Sequence, residues 1–344
     1  MIIKSLPWTV LCLPLALWSS VVLASPLARP TPKRPSGHGN PRPLVVWHGM
    51  GDTYNSPGML EFISLIENIH KGIFVHSVYL DENPKDDQRA CFWGDVNVQV
   101  ANVSQQLRDI PELAGGFDAI GFSQAGQFLR AYVERYNSPP VNNLITFGSQ
   151  HMGVSDLPLC RPWDIPCQLA RRATKGGVYN EWAQTNLVQA QYFRDPNQLP
   201  AYFEHNHFLV SINNENSSTI NTTYASNFAS LNKLVLVMFS LDETVVPKES
   251  SWFGSYAPPH PNGTILDPKV IIPMRMQEVY KEDRIGLRTL DERGDVLLET
   301  CEGTHMQLKS GCWKPLVKRY AGGLVGGDSE GALRDGEQQV LKFQ

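Results

Sequence analysis

Three residues of this chain are of types that together could split an ester-like bond: Ser123, Asp242 and His305. A serine hydroxyl is a weak nucleophile at neutral pH, so a base must take its proton and a carboxylate must hold that base. Ser123 lies in Gly121-Phe122-Ser123-Gln124-Ala125-Gly126, after the apolar run Phe117 to Ile120. It precedes an amphipathic stretch in which Phe128, Leu129, Tyr132 and Tyr136 share one helical face. Strand, tight turn with serine, then helix is how a nucleophile elbow reads in sequence. Small residues must flank such a serine because strand and helix approach closely. Gly121 meets that need, whereas Ala125 stands where glycine is usual and Gly126 follows one place later. Read strictly, the motif is a near miss.

The two partners follow in the chain order serine, acid, histidine that α/β-hydrolases use. The apolar run Leu234 to Phe239 leads into Ser240-Leu241-Asp242-Glu243, which places a carboxylate just past a strand end. The run Val296 to Glu299 leads through Thr300 into Cys301-Glu302-Gly303-Thr304-His305. Asp242 is assigned as acid and His305 as base, with Glu243 and Asp267 as rival acids. Alone, an aspartate after a strand serves more often as a helix cap. The order and the strand-end placement, added to the elbow, carry the assignment. Oxyanion donors are expected from the N–H after the nucleophile, Gln124, and from an early glycine loop, His48-Gly49-Met50-Gly51, with Met50 as donor. His205 and His207 share a face if extended but have no visible third ligand, so neither a metal nor another cofactor is expected.

These loops need a scaffold. Strands are predicted at Leu44 to Trp47, Phe74 to Leu80, Phe117 to Phe122, Leu144 to Phe147, Leu234 to Phe239 and Val296 to Glu299. Helical spacing recurs in Met59, Phe62, Ile63, Ile66 and Ile69, and again in Val96, Val100, Val103 and Leu107. Strands alternating with helices give an α/β class with a mostly parallel sheet covered on both faces. An aromatic, partly helical stretch from about 160 to 221 breaks the alternation and reads as an insertion over the active site. The folded domain is placed at 44–320, after a proline-rich linker or pro-segment at 25–43 and before a tail at 321–344 expected to lack fixed structure.

Residues 1–24, with Lys4, an apolar region from Leu6 to Leu23 and Ala24 before Ser25, read as a secretory signal peptide. Pro7 and Pro14 argue against a retained anchor, and no later segment is apolar for long enough to span a bilayer. With Cys12 in the leader, five of the six cysteines remain, an odd number. Cys160 and Cys167 close a short proline-containing loop and form the first expected disulfide; Cys301 and Cys312, flanking His305, form a weaker second, leaving Cys91 over. Sequons at Asn102, Asn216, Asn221 and Asn262 fit the same route, and at least one is expected to carry a glycan. The net charge of −4, without a basic stripe, gives no reason to expect a nucleic-acid partner.

Dispersed strings add a resemblance. Val46-Trp47-His48-Gly49-Met50-Gly51-Asp52, the serine string with Gly126-Gln127-Phe128-Leu129-Arg130-Ala131, Leu187-Val188-Gln189-Ala190, Ser251-Trp252-Phe253-Gly254 and Glu302-Gly303 with His305 occur in one order. Between about Arg42 and Tyr320 the chain resembles the palmitoyl-protein thioesterases, lysosomal enzymes, and most nearly their type 1 members. The resemblance implies an α/β-hydrolase that removes long-chain acyl groups, chiefly palmitate, from S-acylated cysteines of proteins, in a lysosome or vacuole or after secretion. It places the nucleophile, acid and base on Ser123, Asp242 and His305 and the donors on Met50 and Gln124. It also matches Cys160 with Cys167 to a family disulfide and Asn221 to a glycosylated position. Ala125, the acid's neighbours Leu241 and Glu243, and the pair Cys301 and Cys312 depart from the family pattern. A lipase or general carboxylesterase, and an inactive acyl-binding relative distorted at Ala125, are the alternatives.

Overall fold

The computed structural model describes residues 41–156, 177–259, 269–323 and 340–341. The leader, nearly all of the proline-rich segment, Cys160, Cys167, Asn262, Asp267 and most of the tail lie outside the described residues.

Apolar runs become the strands β1 (Leu44–Trp47), β2 (Val75–Ser77), β3 (Phe117–Phe122), β4 (Val141–Phe147) and β5 (Lys233–Phe239). After a separate ribbon of β6 (Ser255–Tyr256) and β7 (Ile271–Ile272) comes β8 (Val296–Cys301). The main sheet runs β2-β1-β3-β4-β5-β8, and every neighbouring pair in it is parallel. Side chains alternate between two cores, as the period of two in a strand requires. In β5, Leu234 and Leu236 join one core while Val235, Val237 and Phe239 join the other.

Helix α1 (Pro57–Ile69) covers the second face with the helix Ser310–Tyr320, where Phe62 meets Trp313 edge to face at 5.1 Å. Ser56 caps α1 by accepting from the Met59 N–H, and Pro57 fits the first turn, where no intrahelical donor is needed. After the short α2 (Pro84–Ala90), helices α3 (Val96–Arg108) and α4 (Gln124–Arg135) cover the first face. This is the α/β-hydrolase architecture that the strand and helix order predicts.

Three local expectations are corrected. α4 has the amphipathic pattern read from sequence but no solvent face: all its residues from Gln124 to Glu134 are buried, because the helix Thr222–Phe228 and the stretch after β4 cover its polar side. Arg130 and Glu134 are buried there as a pair 3.2 Å apart. β2 is three residues long rather than seven, since the Leu80 N–H leaves the ladder to bond the Asp87 carboxylate at 2.7 Å. β4 starts three residues early, at Val141; its asparagines hide the strand in sequence but are satisfied by Asp118 and by the Tyr320 carbonyl.

From Gly177 onward the insertion holds a helix at Glu181–Asn186, a 3-10 turn at Val188–Tyr192 and helices at Leu199–His205 and Leu209–Ile212. Leu187, Val188, Ala190, Tyr202 and Phe208 belong to the same core as α3 and α4, so this part is built into the domain.

Candidate active site

Ser123 stands between the end of β3 and the start of α4 with φ +53° and ψ −126°, a backbone conformation that L-residues seldom adopt. Its N–H donates to the Phe147 carbonyl at 2.8 Å, which ties the turn to the neighbouring strand. The steric demand on the elbow falls on two glycines. A Cβ on Gly121 would lie 2.4 Å from the Gly126 Cα, and one on Gly126 would lie 2.0 Å from the Ser149 Oγ. Ala125 is buried in the α4-side core, where its methyl group packs with apolar neighbours. The glycine that the elbow needs on its helical side is therefore Gly126, and the near miss at Ala125 costs the turn nothing.

The loops after β3, β5 and β8 converge at the C-terminal edge of the sheet, where open parallel sheets place their sites. His305 Nε2 is 3.0 Å from the Ser123 Oγ, and its Nδ1 is 2.7 Å from the Asp242 Oδ2. The other Asp242 oxygen accepts from the N–H groups of Thr244 and Val245. With its side chain fully buried, that carboxylate has one fixed direction in which to hold the imidazole. Glu243 is exposed, whereas Asp267 lies outside the described residues.

Acid and histidine loops are fastened to each other. The Ser240 N–H donates to the Cys301 carbonyl, the Leu241 N–H to the Gly303 carbonyl, and the Gly303 N–H to the Ser240 Oγ. A disulfide joins Cys301 to Cys312 and closes the loop that carries His305. Gly148, at φ +59°, leaves room for the ring: a Cβ there would touch the His305 Cε1 at 3.1 Å.

The early glycine loop lies against the nucleophile, since a Cβ on Gly49 would stand 3.1 Å from the Ser123 Cβ. Gln124, first residue of α4, has an N–H without an intrahelical acceptor. Among the described residues no acceptor takes the Met50 N–H. Such free donors beside a serine–histidine–aspartate set could stabilise charge developing on a substrate carbonyl oxygen.

No sequence motif marks the groups that lie under this loop. His48 Nε2 is 3.1 Å from the buried Asp87 carboxylate, and its Nδ1 faces the Gly49 carbonyl at 3.1 Å and the Cys91 Sγ at 3.8 Å. Burial alone would push the imidazole pKa down; the bonds to Asp87 and Cys91 outweigh it and hold the group up at about 10. Cys91, left over in the cysteine pairing, is a free and buried thiol. Gln189 and Tyr192, from the insertion, also reach this region. Only the string Leu187-Val188-Gln189-Ala190 hinted at them, because their contacts span up to 139 positions of sequence.

The remaining candidates lie apart. His205 and His207 are half-exposed and face Glu204 and Glu181, respectively. Asn102 is exposed on α3, Asn216 is exposed, and Asn221 caps the helix Thr222–Phe228 through its Oδ1. The cap uses the Asn221 side-chain oxygen and leaves its amide nitrogen unengaged by that bond.

The chain is similar in sequence to known proteins. The profile of the family described as palmitoyl protein thioesterase matches residues 43–305. Palmitoyl-protein thioesterase 1 of Caenorhabditis elegans is 41% identical over 280 residues, covering 81% of this chain and 91% of the relative. Palmitoyl-protein thioesterase 3 of Dictyostelium discoideum is 34% identical, covering 77% of this chain and 85% of its own. The lysosomal thioesterase PPT2 of Mus musculus is 28% identical, covering 77% and 82%.

Proposed function

The chain belongs to the palmitoyl protein thioesterase family, and on that premise we propose that it removes palmitate and similar long-chain acyl groups from S-acylated cysteines of proteins and peptides, with Ser123 as nucleophile. The observation that carries this reading is the relay from Asp242 through His305 to the Ser123 Oγ, with contacts of 2.7 and 3.0 Å.

In this mechanism His305 Nε2 takes the hydroxyl proton as Ser123 Oγ bonds to the thioester carbonyl carbon. Asp242 stabilises the imidazolium that results. The N–H groups of Met50 and Gln124 receive the oxyanion. Collapse of the tetrahedral intermediate breaks the C–S bond, and the cysteine sulfur leaves with the proton from His305. A thiol, with a pKa of about 8.5, departs more easily than an alcohol. Water then attacks the acyl-serine, giving its proton to His305; the fatty acid leaves and Ser123 regains a proton.

The relatives named lysosomal thioesterases support a lysosomal or vacuolar destination reached through the secretory pathway. Exposed sequons at Asn102, Asn216 and Asn221 and the Cys301–Cys312 disulfide fit that route. Among the described residues, no helix is long and apolar enough to cross a membrane.

Hydrolysis of a palmitoyl-cysteine peptide measured beside the matched palmitoyl-serine peptide tests the substrate class. Faster cleavage of the thioester is expected. Equal or faster cleavage of the oxyester would instead make the protein a general esterase or lipase.

A further inference from the structure

Two backbone N–H groups can share one oxyanion only if their peptide planes are held at a fixed distance and angle. Met50 sits in the loop after β1, and Gln124 opens α4, so no common element fixes them. Their side chains, however, are fastened to one place. Gln124 Nε2 donates to the Cys91 carbonyl at 3.2 Å. Gln189 Nε2 donates to the same carbonyl at 2.9 Å and to the Met50 Sδ at 3.2 Å. Tyr192, one turn further along the insertion, donates its hydroxyl hydrogen to the Gln124 Oε1 at 3.1 Å.

We infer that Gln189 is a positioning residue for the oxyanion hole, bracing the Met50 loop against the first turn of α4 through the shared carbonyl of Cys91. The inference rests on the proposed roles of Met50 and Gln124 as oxyanion donors.

Three features favour this role over ordinary core filling. The amide of Gln189 spends both hydrogens on this bridge, one on each side. Gln189, Gln124, Tyr192 and Cys91 are all buried, so water does not compete for the bonds. The Cys91 thiol lies 3.6 Å from the Gly49 carbonyl, so the residue whose carbonyl binds both glutamines also touches the loop that carries Met50. The 3-10 turn Val188–Tyr192 thereby links the seating of the insertion to the geometry of the site.

The test uses Gln189→Met in the full-length protein, which keeps the side chain's length and removes its donors. Four quantities are read: kcat and KM on a palmitoyl-cysteine peptide, inhibition by palmitate, and inhibition by a palmityl trifluoromethyl ketone, which forms a tetrahedral adduct with the serine. Misplacing one donor should lower kcat about 10- to 100-fold. KM and palmitate affinity should hold, while ketone affinity falls by the same factor as kcat/KM. Unchanged kcat and ketone affinity would overturn the inference, as would equal losses for palmitate and ketone, the mark of general damage. If Gln189→Met does not fold, Tyr192→Phe, which removes one bond of the same bridge, replaces it: a smaller loss of the same pattern supports the inference, and an unchanged ketone affinity overturns it. Ser123→Ala separates the two levels. Turnover by that variant would defeat the proposed function itself, whereas an inactive Ser123→Ala beside a fully active Gln189→Met would defeat only the bracing role.

Discussion

Asp242 holds its place by accepting three hydrogen bonds, two from backbone and one from His305. Asp242→Asn keeps the shape but favours the wrong imidazole tautomer, so kcat should fall about 10^4-fold on a palmitoyl thioester. Glu243→Gln, at an exposed position, should retain the parental rate; the reverse ranking in steady-state kinetics would move the acid to Glu243. At the elbow, Ala125→Gly should cost about 1 kcal/mol in helix propensity and leave kcat unchanged. Gly126→Ala drives a methyl group into Ser149 and should cost about 1–3 kcal/mol and impair turnover. Urea unfolding with parallel assays compares the two. Ser123, Asp242 and His305 were legible because chemistry limits their types and chain order limits their positions. Gln189 and the His48–Asp87 pair were not, since their meaning arises from contacts between segments that only folding brings together.

At the level of elements, the sheet is readable wherever strands are mostly apolar, as in β1, β3 and β5. It was misread where polar groups are satisfied inside the fold. Asn142 and Asn143 conceal the start of β4, and the Asp87 carboxylate ends β2 early. The sequence of α4 reads as a helix but not as a buried one, because Arg130 and Glu134 resemble a solvent face, whereas in the fold they pair with each other. The histidine loop is held by the cross-bonds to Ser240 and Leu241 and by the Cys301–Cys312 disulfide. Replacing both cysteines by serine should lower stability by about 2–3 kcal/mol, as expected for a short loop. A fall in kcat should accompany it, since His305 lies inside the loop. Urea midpoints and kinetics of the double variant check this, and unchanged kcat would show that the hydrogen bonds suffice.

For the molecule as a whole, the buried pair of His48 and Asp87 sets a dependence on pH. A histidine whose pKa rises to about 10 on folding, from an ordinary 6.5, binds its proton more tightly in the native state. The stabilisation is therefore complete below about pH 6.5 and is lost as pH rises through about 10. An acidic compartment would retain all of it. The gap in Tm between the parent and His48→Gln should be constant on the acid side of 6.5 and shrink from there to pH 10; a gap that widens with pH would contradict this assignment of charge. The central claim is that the thioesterase activity of this chain passes through Ser123. Its most direct test is turnover of an S-palmitoyl peptide by Ser123→Ala, folded as judged by circular dichroism, beside the parent protein. The account predicts that palmitate release falls to background while the spectrum is unchanged, and release at the parental rate would contradict it.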